Sequence, residues 1–178
     1  PMWEPLWKAV NDVQLPLHFH TFPNVPPDMI SRYPGRVGRS VFFTVVSGFQ
    51  MNLVNILAAI IAANVLERYP KLKIVSVENE VGWMPFMLQQ WDYYYNRFKG
   101  VNPPPINKNP SEYFDRQIYG TFFRDTVAGR SFEWWGQDNC MWSNDYPHGN
   151  STWPESRKYI ERDLGHLPPE IRRKLVCT

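Results

Sequence analysis

The sequence predicts a parallel α/β domain, and three observations predict it. Stretches with helical spacing alternate with short apolar or β-branched runs, those runs number four, and the segments between them are long enough to hold crossover helices. At 178 residues the chain has room for one domain with a real core but falls short of the roughly 250 typical of a complete eight-stranded α/β barrel. Four strands cannot close such a barrel, although they can make half of one.

The first element, Trp3 to Gln14, places Trp3, Leu6, Trp7 and Val10 at helical spacing, and Leu15-Pro16 ends it. Leu17 to Phe22 follows as the first strand. From Pro23 to Ser40 the chain carries Pro23, Pro26, Pro27, Pro34, Gly35 and Gly38, a long irregular segment suited to a lid or a binding loop. Val41 to Phe49 and Asn52 to Arg68 read as two helices, the second with Leu53, Leu57, Ile60, Ile61 and Val65 on one face and Pro70 as its stop. Lys73 to Glu78 is a β-branched run that predicts the second strand, and Met84 to Lys99 is a helix rich in aromatics such as Trp91, Tyr94 and Phe98. Gly100 to Pro110, with four prolines, reads as irregular and precedes a third strand at Gln117 to Phe123. Ser131 to Gly136 then reads as a short helix, Asn139 to Ser143 as the fourth strand, and Pro154 to Leu164 as a helix with Pro near its first turn; Pro169 opens a last helix. Repeats and low-complexity tracts are missing, so residues 1–178 are read as one domain.

Composition excludes several classes of function. A content of 43% hydrophobic and 20% charged residues is that of a folded chain, and 16% aromatic residues, with 8 Trp, suit aromatic-lined pockets or interfaces. The 19 basic and 17 acidic residues are interspersed, which argues against a nucleic-acid stripe and against a polybasic membrane patch. Leu53 to Leu66, the longest apolar stretch, is broken by Asn55 and Asn64 and is too short to span a bilayer. No leader-like segment is expected, and Pro1 is not an initiator, so the natural N-terminus is expected to lie elsewhere. Cys140 and Cys177 argue against a disulfide scaffold and for a reducing, cytoplasmic setting, with both thiols inert.

Four places hold residues that can carry chemistry. His18 and His20 lie two apart on the first strand, so both side chains share one face and can reach a ligand; a hydrogen-bonded pair on a half-buried strand is the alternative. Asp145, in Ser143-Asn144-Asp145-Tyr146-Pro147-His148, falls at the C-terminal end of the fourth strand, where chemistry collects in parallel α/β folds; a cap or turn role competes. Glu78 and Glu80 follow the second strand and can serve as general base and ligand, or orient a histidine, against the alternative of solvated loop carboxylates. Arg124, after the third strand, can clamp a substrate carboxylate, while a surface salt bridge with Asp125 is the simpler reading. Trp83, Trp91, Trp142 and Trp153 near strand ends suit a flat apolar substrate, although such residues also serve core and interface.

Three stretches, taken in order, resemble the amidohydrolase 2 family, whose members include aminocarboxymuconate-semialdehyde and resorcylate decarboxylases. Leu15-Pro16-Leu17-His18-Phe19-His20 resembles the family's fifth strand. Tyr69-Pro70-Lys71-Leu72-Lys73-Ile74-Val75, running on to Glu78 and Gly82-Trp83-Met84-Pro85-Phe86, resembles its sixth, and Ser143 to His148 with Ser151-Thr152-Trp153-Pro154 its eighth. The resemblance implies the C-terminal portion, about four βα units, of a TIM (β/α)8 barrel of the metal-dependent hydrolase type. It makes His20 and Asp145 metal ligands, with Asp145 also able to handle a water proton. His18 becomes a neighbour of the ligand, and His148, with His18, Arg124 and Trp83, a substrate contact.

The implied cofactor is a divalent ion, Zn²⁺ first. The implied reaction is hydrolysis or non-oxidative decarboxylation of a small carboxylated or aromatic compound by a protein that forms homodimers. Two departures stand out: Glu78 occupies the place of a family histidine, and no H-x-H pair of the family's first strand precedes Trp3. Reading His18 and His20 as that first-strand pair fits less well with the helices on either side. On the favoured placement the chain lacks strands one to four and is expected to be inactive alone. The competing readings are a non-catalytic assembly or binding module that needs the other half barrel, and a complete small α/β binding protein whose sheet is covered on both faces.

Overall fold

A computed structural model describes residues 2–20 and 42–177. Its centre is a four-stranded sheet in the order β1 (Leu17–His20), β2 (Ile74–Val77), β3 (Ile118–Phe122) and β4 (Cys140–Trp142). All three pairings are parallel. The sequential order follows from crossover helices that each return the chain to the next position. The four strands start and end within a few residues of the expected ones, while the irregular segment expected at Pro23 to Ser40 lies outside the described residues.

Helix α1 (Glu4–Val13) precedes β1, and α2 (Phe42–Ala62) with α3 (Val65–Arg68) leads to β2. The two helices expected on either side of Gln50 are one continuous helix, because no proline interrupts the run; the break comes instead at Asn64, whose φ of 60° is left-handed. After α4 (Met84–Phe98) the chain forms α5 (Pro110–Gln117), a helix the sequence reading missed. Pro110 is its first residue rather than the end of a loop, and the Glu112 carboxylate accepts the Asn109 backbone N–H at 2.9 Å. Gln117 therefore closes a helix, and β3 begins one residue later. Its side-chain amide is fully buried and donates to the carbonyls of Tyr69 and Leu72. The short helix expected at Ser131 to Gly136 instead occupies Thr126–Ser131 as α6, because the Asp125 carboxylate captures the Ala128 N–H and starts the turn earlier. Two C-terminal helices, α7 (Ser156–Leu164) and α8 (Pro169–Cys177), complete the described chain.

The parallel register gives the sheet two unlike faces. Ile74, Ile118, Phe122 and Cys140 point to the helical side and are buried against Leu57, Ile60, Met84, Phe114, Phe132 and Leu164. At roughly 1.5–3 kcal/mol for each fully buried large side chain, this layer is the main source of stability. His18 and His20 point to the other face and are exposed, and Tyr119, Thr121 and Met141 on that face are half-buried. A sheet covered on both faces is thus not what the described residues form; the architecture is that of a partial barrel with helices on one side. Neither Cys140 nor Cys177 forms a disulfide, and burial pushes the Cys140 thiol far up, away from the reactive thiolate. Among the described residues no helix is long and apolar enough to cross a membrane.

Ion pairs tie α1 and α3 to the body. The Glu4 carboxylate accepts from Arg68 at 2.5 Å and from the Tyr69 hydroxyl at 2.7 Å, which holds its carboxyl down to about 2. Lys108 similarly holds Glu67 down to about 2, through bonds of 3.0 and 2.9 Å. A carboxyl whose folded value is depressed binds protons more readily in the unfolded chain, so its contribution is present above the ordinary value of 4.5 and lost as pH falls toward 2. We expect the difference in urea midpoint between the wild type and Glu4→Gln to shrink steadily over that interval; a constant difference would show that the Glu4 charge plays no part.

Candidate metal centre

The C-terminal ends of the strands bring together side chains that lie far apart in sequence. Period two along β1 sends His18 and His20 to the open face, and His20, the last residue of the strand, stands at its rim. Glu78 follows β2 directly. Its Oε2 lies 2.9 Å from His20 Nε2, and its backbone N–H donates to Thr121 Oγ1 at 3.0 Å. Asp145 follows β4 in a turn closed by the His148 N–H on the Asp145 carbonyl at 2.9 Å, so His148 folds back until its Nδ1 is 3.0 Å from Asp145 Oδ2. One donor atom each from Glu78, Asp145 and His148 falls within 4.8 Å of the others. The Asp145 carboxylate caps no helix, since α7 begins only at Ser156.

Backbone conformation explains how these carboxylates reach the rim. Glu78, Glu80 and Asp145 have φ of 56°, 48° and 59°, the left-handed region, which costs a non-glycine residue about 1 kcal/mol. That reversal turns each side chain back across the strand ends instead of letting it continue the pleat. The strain is borne by hydrogen bonds from neighbouring loops. Asp125, 6% exposed, accepts the Val81 and Gly82 N–H groups on Oδ2 at 2.8 and 2.6 Å and the Ala128 N–H on Oδ1 at 2.8 Å. A side chain at Gly82 would put its Cβ 2.6 Å from Asp125 Oδ1, so glycine is what lets the loop approach the carboxylate.

Glu80 accepts the Phe123 and Arg124 N–H groups at 3.1 and 3.4 Å. Its burial, with Asp125 nearby adding to the effect, pushes its carboxyl up to about 7. It is therefore a strut of the loop rather than a solvated carboxylate.

The remaining expected residues are placed as follows. Arg124 makes no salt bridge with Asp125: the latter is consumed by backbone N–H groups, and the Arg124 guanidinium donates to Asn150 and lies 5.2 Å from the Phe123 ring centre. Trp83 is half-buried, packs on the core and donates its indole N–H to the Asn79 carbonyl at 3.0 Å. His18 is exposed, two residues before His20 on the same face. Thr121, which seats the Glu78 backbone, went unremarked in the sequence, although its period-two relation to Tyr119 puts it on the open face. Asn144 is the other omission: its carbonyl accepts the Ser151 hydroxyl at 2.6 Å and the Thr152 N–H at 3.0 Å, and so holds the loop that carries His148.

Comparisons with known proteins agree with this architecture. The model of the Amidohydro_2 family, described as amidohydrolase, matches residues 1–178. No curated protein matches the sequence significantly. Among solved structures, 5-carboxyvanillate decarboxylase from Sphingomonas paucimobilis superposes with a TM-score of 0.70 at 22% identity, covering 98% of this chain and 50% of that one. 2,6-Dihydroxybenzoate decarboxylase from Rhizobium gives 0.70 at 17% identity, covering 98% and 52%. Dihydroxybenzoic acid decarboxylase from Polaromonas sp. JS666, solved with manganese and 2-nitroresorcinol bound, gives 0.69 at 18% identity, covering 96% and 50%. At such identities the likeness establishes the fold, and the chain spans about half the length of the structures it matches.

Proposed function

The chain belongs to the amidohydrolase family, and on that premise we propose that the full-length protein is a metal-dependent hydrolase or non-oxidative decarboxylase acting on a small carboxylated or aromatic compound. The observation that carries this reading is the cluster of Glu78, Asp145 and His148 at the strand ends, with His20 bonded to Glu78. Imidazole nitrogens and carboxylate oxygens are the donors Zn²⁺ takes in catalytic sites and also suit Mn²⁺, so the donor set fits a divalent ion, Zn²⁺ first. His20 and Asp145 would hold it. The ion supplies Lewis acidity toward a water or a substrate carbonyl.

The protein's own residues have the following work. Glu78, held by His20 on one side and by Thr121 beneath, takes or delivers the proton that either reaction must move, and Asp145 assists from the opposite strand end. Arg124 offers a cation to a substrate carboxylate, His18 and His148 offer polar contacts, and Trp83 offers an apolar wall. A second reading is favoured by one observation: among the described residues β1 and β4 each pair on one side only, so the described sheet ends in open strand edges that another half barrel would cover, whether within one protein or across a homodimer.

The test is direct. Full-length protein, stripped with chelator and reloaded with Zn²⁺ or Mn²⁺, is expected to turn over members of a panel of carboxylated aromatics and small amides in proportion to ion content. Turnover that is indifferent to the ion, or none at all with full occupancy, sinks the proposal. The 178-residue chain assayed beside it is expected to be inactive on either reading, and activity that returns when the other half barrel is added as a separate chain supports the assembly reading.

A further inference from the structure

We propose that Glu78 and His148 join His20 and Asp145 as ligands, so that this chain holds a divalent cation with four side chains of its own. The inference rests on the metal-dependent reading above and enlarges its ligand set from two residues to four, with Glu78 and His148 holding the ion in place of the proton-transfer and substrate-contact roles given to them there.

Distance is the first support. Ligand bonds of about 2.0–2.2 Å at tetrahedral angles set neighbouring donors about 3.4 Å apart. His20 Nε2 and Glu78 Oε2 are 2.9 Å apart, and His148 Nδ1 and Asp145 Oδ2 are 3.0 Å apart. Each histidine–carboxylate pair is at hydrogen-bond distance, about 0.4–0.5 Å inside that spacing, so an ion taking the place of the shared proton would part the donors by only that much. Donor atoms of Glu78, Asp145 and His148 lie within 4.8 Å of one another, and His20 adjoins that group through its bond to Glu78, so it is the His20 side chain that rotates to complete the set.

Charge is the second. The Asp145 side chain is only 5% exposed, and among the described residues neither Asp145 nor Glu78 forms an ion pair with Lys or Arg. Two neighbouring carboxylates, one of them buried and both partnered by imidazole, favour a positive charge that no Lys or Arg among the described residues supplies. His148 is the informative member, since only the turn at Asp145 brings it to the cluster. It sits on a loop whose backbone is held by Asn144 and Ser151, and its exposed side chain is bonded to Asp145.

The experiment titrates the 178-residue chain with Zn²⁺ by calorimetry and with Co²⁺ by visible absorption, the latter reporting the donor set whether or not turnover occurs. One ion per chain is expected. Glu78→Ala and His148→Ala should each weaken binding by about tenfold or more and shift the Co²⁺ spectrum. His166→Gln, altering a histidine bonded to the Gly129 carbonyl on the α6 side, should leave both unchanged. Far-UV circular dichroism confirms folding, and His148→Asn serves if the Ala variant misfolds. Wild-type affinity and spectrum in either the Glu78 or the His148 variant would overturn the inference while leaving the metal-dependent reading intact. A wild-type chain that binds no ion overturns it as well, and the broader reading then stands or falls separately on the ion content of the full-length protein.

Discussion

Replacing Asp125 with Ala is expected to destabilise the fold by roughly 3–5 kcal/mol, although the residue belongs to no strand and makes no salt bridge. Its carboxylate accepts three backbone N–H groups, those of Val81, Gly82 and Ala128, in a place that is 6% exposed. Alanine leaves all three donors without partners, those of Val81 and Ala128 buried and that of Gly82 partly so. Water cannot replace the lost acceptor without opening the contact that Gly82 makes possible. Asp125→Asn keeps one oxygen and should lose about half as much. Urea denaturation of the two variants measures this, and an Ala variant within about 1 kcal/mol of wild type would show that the carboxylate is not the strut. Because the clamped loop begins at Glu78, the Ala variant should also loosen the rim.

Asp145→Asn is the complementary case, with a large effect on function and little on stability. Asparagine tolerates the left-handed backbone at φ 59° at least as well as aspartate and keeps an oxygen for His148, so thermal stability should match or slightly exceed that of wild type. Removing the anion, however, takes away a proposed ligand and proton carrier together. On the proposed function we expect turnover of the full-length protein to fall by about 10²–10⁴-fold, with ion affinity weakened about tenfold or more. An Asn variant that unfolds would recast Asp145 as a structural residue, and one that keeps full turnover would remove it from the site.

Much of the fold was legible because it depends on short-range pattern. The period of two placed His18 and His20 on one face, and the β-branched run Lys73 to Glu78 gave β2 to within a residue or so. Helix α5 was hidden because a proline that opens a helix looks, in isolation, like the end of a proline-rich loop. The backbone-to-carboxylate bond between Asn109 and Glu112 marks the start of the helix. The displacement of α6 has the same origin: the sequence Arg124-Asp125 suggests a salt bridge, whereas the acceptor capacity of Asp125 governs.

By itself, the sequence determined a parallel sheet with helices between its strands, the resemblance to one half of a metal-dependent barrel, and the placing of His20, Glu78 and Asp145 at strand ends. These follow from spacing along the chain, which secondary structure converts directly into sides and ends. Tertiary structure alone decided which of those residues meet. His20 reaches Glu78 across 58 residues of chain, and His148 turns back to Asp145, because left-handed residues at Glu78 and Asp145 redirect the backbone just where β2 and β4 have ended. A conformation of that kind is stabilised by contacts from distant loops, such as Thr121 on the Glu78 backbone and Asp125 on the Val81–Gly82 turn, so no local pattern can announce it.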